Sequence, residues 1–145
     1  MLKKTQGGFF VSQIKQIQDR IFNRLIKENG IEEFNGPHGR ILYVLWQEDN
    51  LPIGELALRT SLAKTSITSM LDRMEQRGQI RRIYDTNDRR QIRIVLSEKA
   101  RMLSLSYEEV SQKMNELFYK GFSDEEIQQF ENSLERILTN LKNSE

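Results

Sequence analysis

Gly78 divides a helix-patterned stretch from a strand-patterned one, and that switch constrains the chain more than any other feature. Between Ser61 and Ser97 the sequence reads SLAKTSITSMLDRMEQRGQIRRIYDTNDRRQIRIVLS. Before the glycine, Ile67, Met70, Leu71 and Met74 recur at helical spacing and share one face. Thr65, Ser69, Asp72 and Gln76 fall on the opposite face, flanked by Ser66, Thr68 and Arg73. The glycine supplies a helix stop because it adopts the left-handed conformation readily. Two β-type runs follow, joined by the polar turn 85–90. In the second run Ile92, Ile94 and Leu96 alternate with Gln91, Arg93 and Val95, the period of a half-buried strand. A helix, a hairpin and an arginine-tipped turn are the parts of a winged helix-turn-helix. The expected fold class is therefore mainly α with a small β-hairpin wing.

Charge agrees with a nucleic-acid reader. From Arg59 to Arg93 there are nine basic and four acidic residues, a local net charge of +5 in a chain whose total is +1. A basic patch on a nearly neutral protein is what phosphate contact requires. The plain alternative is a solvated basic hairpin. The residues expected to meet DNA are Lys64, Thr65, Ser66, Thr68, Ser69 and Arg73 on the helix, with Arg89 and Arg90 on the turn. Small hydroxyl side chains can approach base edges and touch thymine methyls, although any exposed helix face carries similar residues.

Composition removes several other classes. With 145 residues the chain suffices for one domain, 1–145, with a real core. It has no cysteine, so disulfides, thiolate nucleophiles and thiol redox sensing are excluded. A single histidine, His38, cannot build a multi-histidine zinc site, while a carboxylate-rich metal site stays open. No cofactor is implied. There is no phosphate-cradling glycine loop, which argues against an enzyme. No apolar stretch reaches the ~20 residues of a membrane span, and the N-terminus lacks the apolar core of a secretory signal. A cytoplasmic location with no membrane partner is expected.

The rest of the chain reads as helices. Phe10, Ile14, Ile17, Ile21 and Leu25 make one apolar stripe on a first helix over 9–28, ending at Asn29-Gly30. Pro37 suits the first turn of a second helix, 37–48, capped by Asn35 or Gly36, with Ile41, Leu42, Leu45 and Trp46 inward. Trp46 reads first as core and His38 as an ordinary surface or interface histidine. A short helix over 53–59 turns Leu56, Ala57 and Leu58 inward and begins the helix-turn-helix. Ser97 can cap one further helix, whose Leu103, Tyr107, Val110, Met114 and Leu117 form a heptad-like seam to about residue 120. Ser123 and Glu126 have capping-box spacing ahead of a last helix carrying Ile127, Phe130, Leu134, Ile137, Leu138 and Leu141.

The winged module, 34–96, is thus flanked by helices over 9–28 and 97–143. Their stripes are either core or an interface between chains. Two-fold dimers are the commonest soluble oligomers, so Phe10, Ile14, Ile17, Leu117, Ile127, Phe130, Leu134, Leu138 and Leu141 are expected to pair two copies of the chain.

Over nearly its whole length the sequence resembles the MarR family of transcriptional regulators. The family's wing signature, D-x-R-x5-L-[TS], is present as Asp88, Arg90, Leu96 and Ser97. Leu56-Ala57, Leu71-Asp72-Arg73 and Arg77-Gly78 match its helix-turn-helix. Ala63, Gln79 and Ala100 depart from it, replacing a cap, an apolar residue and a glycine. The resemblance implies a homodimer on double-stranded DNA with a recognition helix in each major groove. It implies Arg90 in the minor groove, with Asp88 structuring the wing. It implies a sequence-specific regulator, most often a repressor, on a pseudo-palindromic operator. It also implies release by a small aromatic or phenolic effector near Phe9, His38, Arg40 and Trp46. A non-specific architectural DNA binder and a DNA-free helical interaction module remain the alternatives.

Overall fold

The computed structural model describes residues 4–31, 37–87 and 90–145. The described residues form seven helices and three strands in the order α1 Gly7–Glu28, α2 Pro37–Gln47, β1 Leu51–Pro52, α3 Ile53–Thr60, α4 Lys64–Gln76, β2 Ile80–Tyr84, β3 Ile92–Leu96, α5 Glu98–Met102, α6 Ser104–Phe118 and α7 Asp124–Lys142. The expected caps for α2, Asn35 and Gly36, lie outside the described residues. Among the described residues no helix is long and apolar enough to cross a membrane.

The chain divides into two compact units, 1–111 and 112–145. In the first, one core gathers Ile26 of α1, Ile41, Leu42 and Leu45 of α2, Leu56 of α3, Ile67, Leu71 and Met74 of α4, Ile94 and Leu96 of β3, and Val110 of α6. The end helices therefore do not stand wholly apart from the winged module. The C-terminal part of α1, Ala100 of α5 and the first half of α6 help to build its interior. Leu58 departs from expectation: it is exposed on α3, while Leu56 and Ala57 are buried.

Two helix ends show why the glycines are where they are. After α1, the Gly30 N–H reaches the Lys27 carbonyl and the Ile31 N–H reaches the Ile26 carbonyl, with Gly30 at φ 69. After α4, Gly78 (φ 73) and Gln79 bond to the carbonyls of Glu75 and Met74 in the same way. Both are Schellman closures, which need one left-handed residue. The first buries Ile31 against the core, as the motif's apolar position favours; the second buries Gln79.

Three features were not expected from the sequence. Leu51-Pro52 forms a third strand on β3, pairing Leu51 with Ile94 and Pro52 with Arg93, so the sheet order is β1-β3-β2. Proline is tolerated because β1 is an edge strand. The central strand β3 is also more buried than the alternation implied: Val95 is buried along with Ile94 and Leu96. Finally, the single helix expected after Ser97 is broken at Leu103. The indole Nε1 of Trp46 donates to the Ala100 carbonyl at 3.0 Å, the group that a continuous helix would offer to the Ser104 N–H. Ser97 does cap α5, its Oγ accepting the Ala100 N–H at 3.2 Å.

In the second unit, Ser123 and Glu126 form the complete capping box at the start of α7. The Phe130 ring lies 6.2 Å from those of both Phe118 and Tyr119. Ile127 is half-buried, while Leu134, Leu138 and Leu141 are exposed and no residue of α7 is buried.

Candidate nucleic-acid interface

Helices α3 and α4 form the helix-turn-helix. The turn is Ser61-Leu62-Ala63, with Ser61 in the left-handed region at φ 60. Buried Thr60 steadies it: its hydroxyl donates to the Leu56 carbonyl at 2.6 Å. Ala63 occupies the N-cap of α4 and makes no side-chain cap, so the first N–H groups of α4 lack the usual capping hydroxyl.

Ile67, Leu71 and Met74 fix α4 to the core, which turns Lys64, Thr65, Ser66, Thr68, Ser69 and Arg73 to the surface. The structure sorts these side chains onto two flanks. Thr65, Ser66, Ser69 and Arg73 line a shallow groove with Met70 and His38. Lys64 and Thr68 line another with Arg90, Gln91 and the start of α3. The Thr68 hydroxyl donates to the Lys64 carbonyl at 2.9 Å, leaving its lone pairs rather than its proton for a partner. Arg90 is exposed beside the wing turn. Asp88 and Arg89 lie outside the described residues.

Several cations of the basic patch have structural duties. Arg82 on β2 bridges two acids of α4, with contacts of 2.7 Å to Asp72 and 2.9 Å to Glu75. Arg59 pairs with Glu48 and Glu55. Arg93 pairs with Asp85. Among the described residues, Lys64, Arg73, Arg77 and Arg81 form no ion pair, which leaves their charge for an external anion. Counting charge along the sequence could not separate these sets: apart from Arg59–Glu55, an i,i+4 pair within α3, each pairing joins different elements.

The three residues expected at an effector site all lie on α2 and have different partners. His38 borders α4; burial and, after it, the cationic Arg77 and Arg73 lower its pKa below the ordinary value of 6.5. The Arg40 guanidinium donates to the Thr60 carbonyl at 3.4 Å. The Trp46 ring packs 4.9 Å from that of Tyr107. The step of two residues turns Arg40 well away from His38 around the helix, while the step of eight keeps His38 and Trp46 on one broad face, about two turns apart. Phe9, the fourth residue placed near that site, is exposed on α1. Among the described residues no group of His, Asp and Glu converges as a metal site would.

A model of the MarR family matches residues 34–92. The chain is 32% identical over 124 residues to YsmB, an uncharacterized HTH-type transcriptional regulator of Bacillus subtilis, covering 81% of this chain and 84% of that protein. It is 25% identical over 129 residues to the homoprotocatechuate degradative operon repressor of Escherichia coli, covering 87% and 83%. A crystal structure of a mutant MarR from E. coli, complexed with operator DNA, matches with a TM-score of 0.78 at 21% identity, covering 90% of this chain and 92% of that one.

Proposed function

Since the chain belongs to the MarR family of transcriptional regulators, we propose that it acts as a sequence-specific repressor that binds a pseudo-palindromic operator as a homodimer. The observation that carries the reading is the exposed face of α4. Small hydroxyl side chains there lie beside cations that no acid of the described residues neutralises. In a major groove, Thr65, Ser66, Ser69 and Arg73 would read bases, and phosphates would take Lys64, Arg77 and Arg81. Arg90 would enter the minor groove, where A·T-rich stretches are narrow and attract arginine. Asp88 and Arg89 would complete the wing.

Pairing of two chains is supported by the apolar residues left in water. Phe10, Ile14 and Ile17 on α1, Leu117 on α6, and Leu134, Leu138 and Leu141 on α7 are all exposed in the single chain. Repression is supported by the name of the E. coli relative, an operon repressor. An operator-binding repressor works in the cytoplasm. Release by a small aromatic or phenolic compound belongs to the same reading, with His38, Arg40 and Trp46 of α2 as the residues that would meet it.

Selection of bound DNA from a random pool tests the reading. An imperfect palindrome with half-sites about one helical turn apart, ~34 Å, is the expected outcome. Enrichment of single asymmetric half-sites would overturn the dimer. Equal binding to all sequences would leave the architectural alternative instead.

A further inference from the structure

Arg93 lies on the central strand β3, opposite Pro52 of β1 and Ile83 of β2, and its guanidinium reaches both ways. On one side its Nε donates to Asn50 Oδ1 at 2.9 Å and its Nη2 to the Asn50 carbonyl at 2.8 Å. On the other side its Nη1 donates to Asp85 Oδ2 at 3.3 Å. The second oxygen of Asp85 accepts the Asn87 N–H at 2.9 Å, which shapes the entry to the wing turn. One guanidinium therefore ties the wing turn to the loop between α2 and β1.

That loop is itself anchored. Asp49 Oδ1 accepts the N–H of Asn50 at 2.8 Å and the N–H of Leu96 at 2.9 Å, and Oδ2 accepts from Arg101 at 2.8 Å. Asn50 takes the left-handed conformation, φ 59, which asparagine tolerates better than most residues. The Arg93 and Asp85 side chains are only 28% and 15% exposed, so water screens this pair less than an ordinary surface bridge.

We propose that Asn50, Arg93 and Asp85 form a positioning relay that sets the wing against the helix-turn-helix and so fixes where Arg90 enters the minor groove. The proposal rests on the minor-groove reading of the wing given above. In this role Arg93 is a brace and takes no phosphate, and Asn50 acts without touching DNA. A wing held by the fold has already lost the orientational freedom that a loose wing must lose on binding.

The variant Asn50→Gly tests it, because glycine keeps the left-handed backbone, removes the Oδ1 acceptor and changes no charge. Binding to the selected operator is measured at several salt concentrations, alone and combined with Arg90→Ala. Affinity should fall about three- to tenfold in the wild-type background and less than about twofold in the Arg90→Ala background, since the two residues act as a unit. The salt slope should stay unchanged, as no phosphate contact is lost. Arg93→Lys, which keeps the charge but cannot bridge both partners, should behave alike. In the free protein the Asn87 amide should exchange faster in Asn50→Gly. Equal losses in both backgrounds, no loss at all, or unchanged exchange at Asn87 would each overturn the relay. Arg90→Ala binding as tightly as wild type would bring down the minor-groove reading beneath it, which the other results leave standing.

Discussion

The two compact units, 1–111 and 112–145, carry equally regular apolar stripes and do opposite things with them. In the first, side chains from α1, α2, α3, α4, β3 and α6 converge until Ile26, Leu42, Leu56, Ile67, Leu71 and Val110 have no exposed surface. In the second, α7 presents Leu134, Ile137, Leu138 and Leu141 at 36% to 63% exposure, and nothing on the helix is buried. A single helix can show both behaviours: on α1, Phe10, Ile14 and Ile17 are exposed and Ile26 is not. Helical periodicity thus reports which face is apolar. Whether that face becomes core depends on another apolar face arriving within the same chain.

The contrast would break most visibly at α7. Replacing Leu134 and Leu138 together with glutamate should abolish dimers at micromolar concentration and lower operator affinity by at least about a hundredfold. Burying an unpartnered carboxylate costs several kcal/mol, so association should be abandoned instead. Analytical ultracentrifugation and an operator titration read both effects. A double variant that sediments as a normal dimer would put the interface elsewhere.

A pair of milder truncations sharpens the same contrast. Leu71→Ala empties part of the first unit's core and should lower unfolding free energy by about 2–5 kcal/mol. Leu141→Ala, at a 63% exposed position, should stay within about 0.5 kcal/mol when measured on the dilute monomer. Urea unfolding at low protein concentration makes the comparison. Equal losses would mean that α7 is packed within its own chain as α4 is.

The smallest effect concerns the histidine of the first unit. Burial, then Arg77 and Arg73, hold the folded pKa of His38 below 6.5. The unfolded chain therefore takes up this proton first as the pH falls. The contribution of neutral His38 is complete above 6.5 and is lost as the pH drops through the lower folded value. His38→Gln should flatten stability between about pH 5 and about pH 8 while leaving the neutral-pH value nearly unchanged. Urea midpoints at the two ends of that window decide it. Identical slopes in wild type and variant would show that His38 is solvated like a surface residue.

Much of this molecule was legible residue by residue. The order of the helices, the stops at Gly30 and Gly78, the caps at Ser97 and Ser123, and the β2–β3 wing all follow from signals spanning a few neighbours, because helix caps and left-handed stops are local chemistry. The outward face of α4, from Lys64 to Arg73, was equally readable, since four apolar positions suffice to orient a helix. The family's wing signature drew attention to Arg90.

The rest was decided by groups far apart in sequence. The break at Leu103 depends on Trp46, 54 positions before the carbonyl it claims. β1 exists because β3 offers it a free edge. His38 lies beside α4 through the way α2 packs on the core. Asp49 and Asn50 read as an ordinary turn, yet they meet Arg93, Leu96 and Arg101 across more than forty residues. Periodicity and capping record what a residue does to its own segment. Which arginine is paired inside the fold and which is left for an external anion depends on which acids the packed elements bring within hydrogen-bonding distance, and only the tertiary structure sets that.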